Sequence, residues 1–124
     1  MLTESDTILL IGRILLGGAF LIAGLRNVLN IAPLRQAMTA RGVPLARFLL
    51  PSGIALQIAA GALLVAGIWI PAAATALILF LLVATPIFHN FWDHQGLDRV
   101  NRINGIIANV ALAGGFLSLM ANAA

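Results

Sequence analysis

The chain has 124 residues, 61% of them hydrophobic and 9% charged, with a net charge of +3. Its mean hydropathy of +1.05 excludes a water-soluble helical bundle, whose helices each need a polar face. Having no cysteine excludes disulfides, thiol redox chemistry and thiolate-ligated iron–sulfur clusters.

The first residues, Met1 to Asp6, are acidic. They lack the positive flank and small-residue cleavage site of a secretory signal, so the first apolar stretch is expected to stay in the mature protein. Four apolar stretches follow, at about Ile8–Val28, Phe48–Trp69, Pro71–His89 and Ile103–Ala121. Each is near the ~20 residues that cover a bilayer's hydrocarbon core as a helix. The expected fold class is therefore an all-α membrane protein, a four-transmembrane-helix bundle forming a single domain over residues 1–124.

The first span carries a stripe of Arg13, Gly17, Phe20, Gly24 and Asn27, spaced by threes and fours on one helix face. In a membrane such a stripe turns toward neighbouring helices, because small residues allow close approach and polar groups avoid lipid. Between the first two spans, Pro33 fits the opening turn of a short helix that Gly42 and Pro44 end. Leu34, Ala37 and Met38 would form its apolar face in the headgroup layer; a plain solvated loop fits equally well. Matching inward stripes are Gly53, Gln57, Gly61 and Leu64 in span two, Thr85, His89 and Trp92 in register with span three, and Gly105, Asn109, Leu112 and Phe116 in span four. Spans two and three form a tight hairpin at Trp69-Ile70-Pro71, and Asp93 to Arg99 form a polar loop turning at Gly96. Trp69 and Trp92 stand where interfacial anchors belong.

Arg26, Arg35, Arg41, Arg47, Arg99 and Arg102 share one side of the membrane, and only Arg13 lies toward the other. By the positive-inside rule both long loops are cytoplasmic and both termini outside. The pI near 11.6 reflects these flanking arginines and predicts contact with a bilayer, not with nucleic acid.

Four residues are candidates for chemistry or ligand binding: Arg13, Gln57, His89 and Asn109. A charge inside a span is a functional candidate by default, although Arg13 is also long enough to snorkel to the headgroups. Gln57 and Asn109 lie at comparable depth and could meet as interhelical glue or line a ligand site. His89 could be a ligand, a proton carrier or an interfacial residue. If all four face inward, they mark a polar track on apolar walls, the usual form of a lipophile site. Glu4, Asp6, Asp93 and Asp98 all lie at ends or in loops. Without an intramembrane carboxylate, a small proton-coupled transporter is disfavoured. Two histidines at one membrane face do not make a bis-histidine haem cage, and no group of residues has metal-ligand spacing.

Gly12-Arg13-Ile14-Leu15-Leu16 with Phe20, Gly24 and Leu25, Gly42-Val43-Pro44, Phe88-His89-Asn90-Phe91-Trp92, and Asn109 with Ala113-Gly114-Gly115 together resemble the DoxX family of small bacterial membrane proteins. The resemblance runs in order along nearly the whole chain, and its histidine–aromatic block is the most specific part. It implies a four-helix bundle in the bacterial inner membrane, and a role as a non-catalytic subunit or anchor of a redox-linked assembly with a soluble or membrane oxidoreductase partner. The alternative it raises is a quinone- or lipophile-binding subunit of such an oxidoreductase. Whether any catalysis occurs, and whether the chain is a monomer or a homodimer, stay open. Relatives often carry glutamate at the position of Gln57, lysine at that of Ala108 and lysine near Asn27; here the first two charges are gone together and the cation is Arg26.

Overall fold

The computed structural model describes residues 2–122. Its elements are α1 (Glu4–Leu29), α2 (Ile31–Ala40), α3 (Ala46–Ala66), α4 (Ile70–Phe88), a single 3-10 turn (Phe91–Asp93) and α5 (Gly96–Ala121), with no strand among the described residues. Four segments, α1, α3, α4 with its following turn, and α5, are long and apolar enough to cross a membrane. The chain is an all-α bundle of four membrane-spanning helices.

Local chemistry carries several helices beyond or short of their apolar stretches. α1 starts at Glu4 because Thr3 and Asp6 close a capping box. The Asp6 amide donates to Thr3 Oγ1 and the Thr3 amide to Asp6 Oδ2, each at 3.1 Å. α3 stops at Ala66, where Gly67 takes a left-handed φ of 77°. The Ile68 amide then bonds Leu63 O at 3.0 Å and the Gly67 amide Leu64 O at 3.2 Å, a Schellman ending. α5 begins at Gly96, not near Ile103, so the polar run Leu97 to Arg102 is helical. Gly96 does turn the chain, with φ of 64°, but it opens the helix rather than sitting mid-loop.

The most extensive packing is α1 on α3; α4 packs on both α5 and α3, and α5 closes the ring on α1 through a much smaller contact. The main core holds Phe20, Ala60, Leu64, Ala73, Ala74, Leu77, Leu81, Phe116 and Leu119. Phe20 meets Phe116 edge-on at 5.3 Å and Phe80 at 6.3 Å between ring centroids. Outward residues such as Ile8, Leu15, Ile22, Leu82 and Val110 are exposed on the lipid side.

α2 is helical and docked. Met38 is buried with Ala46, Leu50 and Ile54, and Ile31 and Leu34 pack against this second cluster. The apolar face is thus Ile31, Leu34 and Met38, whereas Ala37, expected on it, is exposed. Trp92 also departs from its expected inward register. The helix has ended by Phe88, so Trp92 falls on the 3-10 turn and is 53% exposed.

Candidate functional site

α3 has two working faces. Toward α1 the backbones touch. A Cβ added to Gly61 would lie 2.7 Å from Gly17 O and 2.8 Å from Leu21 N, and one added to Gly17 would lie 2.8 Å from Gly61 O. Gly24 is as close to α3, with Ile58 Cγ1 2.7 Å from where its Cβ would stand. Only glycine permits this approach, the packing that holds helices together in lipid.

Toward α4 the same helix leaves a gap. An apolar cavity of about 640 Å³ lies between α3 and α4, with Leu34 and Met38 of α2 at one end. Gly53 contributes to it: the nearest atom to an added Cβ there is Phe80 Cε2 at 3.6 Å, ordinary van der Waals contact. Leu79 and Val83 also line it and are exposed, so the cavity opens sideways between the helices toward lipid. Its lining on α4 runs from Ala76 to Phe88, roughly 18 Å at 1.5 Å rise per residue.

The polar part of this wall is one amide pair and one hydroxyl. Asn27 Nδ2 donates to Gln57 Oε1 at 2.9 Å. Gln57 is 4% exposed, and both side chains line the cavity. The hydroxyl, Ser52 Oγ, is used locally, donating to Phe48 O at 2.8 Å.

The other residues singled out from the sequence are elsewhere. Asn109 Nδ2 donates to Thr85 Oγ1 at 2.9 Å, and the pair lines a separate cavity of about 280 Å³ between α4 and α5. Arg13 lies at the hairpin end, its guanidinium against Gly67 just past the C-terminus of α3, where a cation suits the helix dipole. Its Nε is buried without a hydrogen-bond partner. The His89 ring packs on Gly105, filling the space a Cβ would need. The four residues therefore do not join in one track, and Gln57 does not meet Asn109. Gln57 and Asn109 each have a hydrogen-bond partner on an adjacent helix, which is how a polar group in lipid avoids being stranded. Nor would residue 108 complement residue 57, since Ala108 is exposed on α5 while Gln57 is paired with Asn27 of α1.

The histidine–aromatic block forms a braced corner at the end of α4. Arg102 Nη1 donates to Phe88 O at 2.7 Å and to Asn90 Oδ1 at 2.8 Å. Asn90 is 3% exposed, and its Nδ2 donates to Asp93 Oδ2 at 3.3 Å. Arg41, just after α2, donates to Pro86 O and Ile87 O and lies over the Trp92 ring at 5.7 Å. Two arginines from different elements thus satisfy the carbonyls that a helix leaves free at its C-terminus. Reading the arginines only as topology signals misses this role. The available signal was a span ending in a Pro-containing turn, with cations on both flanking segments.

The model of the DoxX family matches residues 8–90. The inner membrane protein YphA of Escherichia coli K12 is 32% identical over 114 residues, covering 90% of this chain and 80% of YphA. No solved structure matches. The family match takes in the α1–α3 seam, the amide-bearing cavity and the start of the braced corner, and with the YphA likeness across most of both chains it places this integral membrane protein in the DoxX family.

Proposed function

We propose that this DoxX-family protein of the inner membrane binds a lipophilic molecule in the cavity between α3 and α4. What carries the reading is the cavity itself. It is large, apolar, open to the bilayer, and has a single amide pair on greasy walls, the usual make-up of a site for such ligands. The six arginines at the α2 end support a topology with that end cytoplasmic and both termini outside.

The test uses the full chain in proteoliposomes and a photoreactive long-chain alcohol. Crosslinks are expected on peptides holding Leu79 and Val83. Gly53→Phe should fill the cavity, abolish those crosslinks and leave the thermal melt near that of the parent. Equal labelling of parent and Gly53→Phe would overturn the proposal.

A second reading makes the same chain the membrane anchor of a redox-linked assembly. It is supported by the exposure of Arg26, Arg35, Arg47 and Arg99 at the end that would face the cytoplasm, a surface suited to an acidic soluble partner. Replacing these four with Gln should abolish salt-sensitive retention of an oxidoreductase from the source membrane. Unchanged retention would remove this support.

A further inference from the structure

We infer that the α3–α4 cavity selects an uncharged, oxygen-headed lipophile, such as a ketone, ester or alcohol, over a fatty acid, an amine or a bare hydrocarbon; this rests on the binding role proposed above. Asn27 and Gln57 are both primary amides, each with a carbonyl oxygen and a two-proton nitrogen. Their mutual bond uses the nitrogen of Asn27 and the oxygen of Gln57. The Gln57 nitrogen and the Asn27 oxygen remain for a guest. Turning both amides over exchanges which residue offers which and leaves the same set. The site thus presents one donor group and one acceptor, and no formal charge.

The rest of the lining is apolar apart from Ser52, whose proton is already given to Phe48 O. No acidic or basic side chain lines the cavity. An ionised carboxylate or ammonium would lose its solvation there without gaining a counter-ion, an unfavourable exchange. A hydrocarbon would leave the spare amide groups without partners in a low-dielectric space, which is also unfavourable. A neutral oxygen that accepts from Gln57 meets both conditions, and a hydroxyl can also donate to Asn27. Arg41 bonds the Pro86 and Ile87 carbonyls through Nη1 and lies over Trp92, and it is not among the residues that line the cavity.

The experiment displaces the photoreactive alcohol from the purified full chain with four competitors of similar chain length: a methyl ketone, palmitate, hexadecylamine and hexadecane. The ketone should compete about tenfold more strongly than the other three, one good hydrogen bond's worth. Gln57→Glu keeps an oxygen for Asn27 Nδ2 to reach and adds a buried negative charge. It should reverse the order, with hexadecylamine becoming the strongest competitor. Asn27→Asp makes the same change from the α1 side and decides the matter if Gln57→Glu does not fold.

If the alcohol itself fails to label, the binding role and the inference fall together. If it labels but hexadecane competes as well as the ketone, the binding role stands and the headgroup selection is wrong. Palmitate as the strongest competitor would overturn the inference in favour of Arg41 as the headgroup ligand. An unchanged competitor order in both carboxylate variants would remove the amide pair from the site.

Discussion

The two faces of α3 use glycine in opposite ways. On the α1 side, Gly61 and Gly17 sit backbone against backbone, and the nearest side-chain atom, Leu64 Cβ, is fixed to the backbone and cannot give way. On the α4 side, Gly53 faces Phe80 at an ordinary contact distance and its missing side chain becomes part of a cavity. In water both arrangements would be judged by the apolar area they bury. In lipid that driving force is absent between helices, and close packing decides. The α1 seam is therefore the structural spine, and the α4 groove is the face free to open.

The sharpest break of this comparison is a matched pair of substitutions. Gly61→Leu would place a Cβ 2.7 Å from Gly17 O and 2.8 Å from Leu21 N, contacts that only movement of a whole helix can relieve. It should cost about 3 kcal/mol, at the upper end of the usual overpacking penalty. Gly53→Leu places its Cβ at an ordinary 3.6 Å from Phe80 Cε2, with the rest of the side chain in the cavity, and should change stability by no more than about 0.5 kcal/mol. Unfolding in mixed micelles measures both. Similar losses for the two would show that the groove is as tightly packed as the seam.

If packing does not close the groove, its end must be held by directed bonds. Arg41 does this, tying the segment after α2 to the last carbonyls of α4. Arg41→Leu should cost about 2 kcal/mol, since hydrogen bonds from a charged donor are stronger than neutral ones. It should also speed exchange of a lipophile from the cavity, because Met38 and Ile87 on its rim lose their link. Arg35→Leu, on the exposed side of α2, is the control and should stay within about 0.5 kcal/mol. Equal stability and equal exchange rates for the two variants would mean that the groove is braced some other way.

The sequence made the spine legible and left the groove hidden, for a physical reason. Gly17, Gly24 and Gly61 announce close approach because a glycine within a span has few other uses. Gly53 gives the same signal, yet it lines a void. Whether a gap is filled depends on the facing helix, where Phe80 leaves room, and periodicity along one strand of text does not contain that. The polar residues follow the same rule. Helical spacing placed Asn27, Gln57, Thr85 and Asn109 on interior stripes, but the pairing of Gln57 with Asn27 rather than Asn109 depends on which helices are neighbours. The helix ends were displaced by short-range chemistry of the Thr3–Asp6 kind, which an apolar window does not weigh.

The smallest expected effect compares the two amide bonds. Asn27–Gln57 joins the spine pair, and Thr85–Asn109 joins α4 to α5. Their lengths are equal at 2.9 Å, so geometry alone predicts equal worth. Surroundings separate them. Gln57 is 4% exposed and held by a seam that cannot shift, which keeps the geometry of its bond to Asn27 fixed. Thr85 and Asn109 are both half-buried, on a face where lipid or water reaches and where the hydroxyl can turn back to its own helix. Double-mutant cycles with Asn27→Leu and Gln57→Leu should give a coupling of about 1 kcal/mol. Thr85→Val with Asn109→Leu should give about 0.5 kcal/mol, near the average for interhelical bonds in membranes. A larger coupling for the α4–α5 pair would reverse the assignment. It would make α5, not α1, the helix whose polar contacts hold the bundle together, and the closed seam along α1 would then be a consequence of the fold rather than its support.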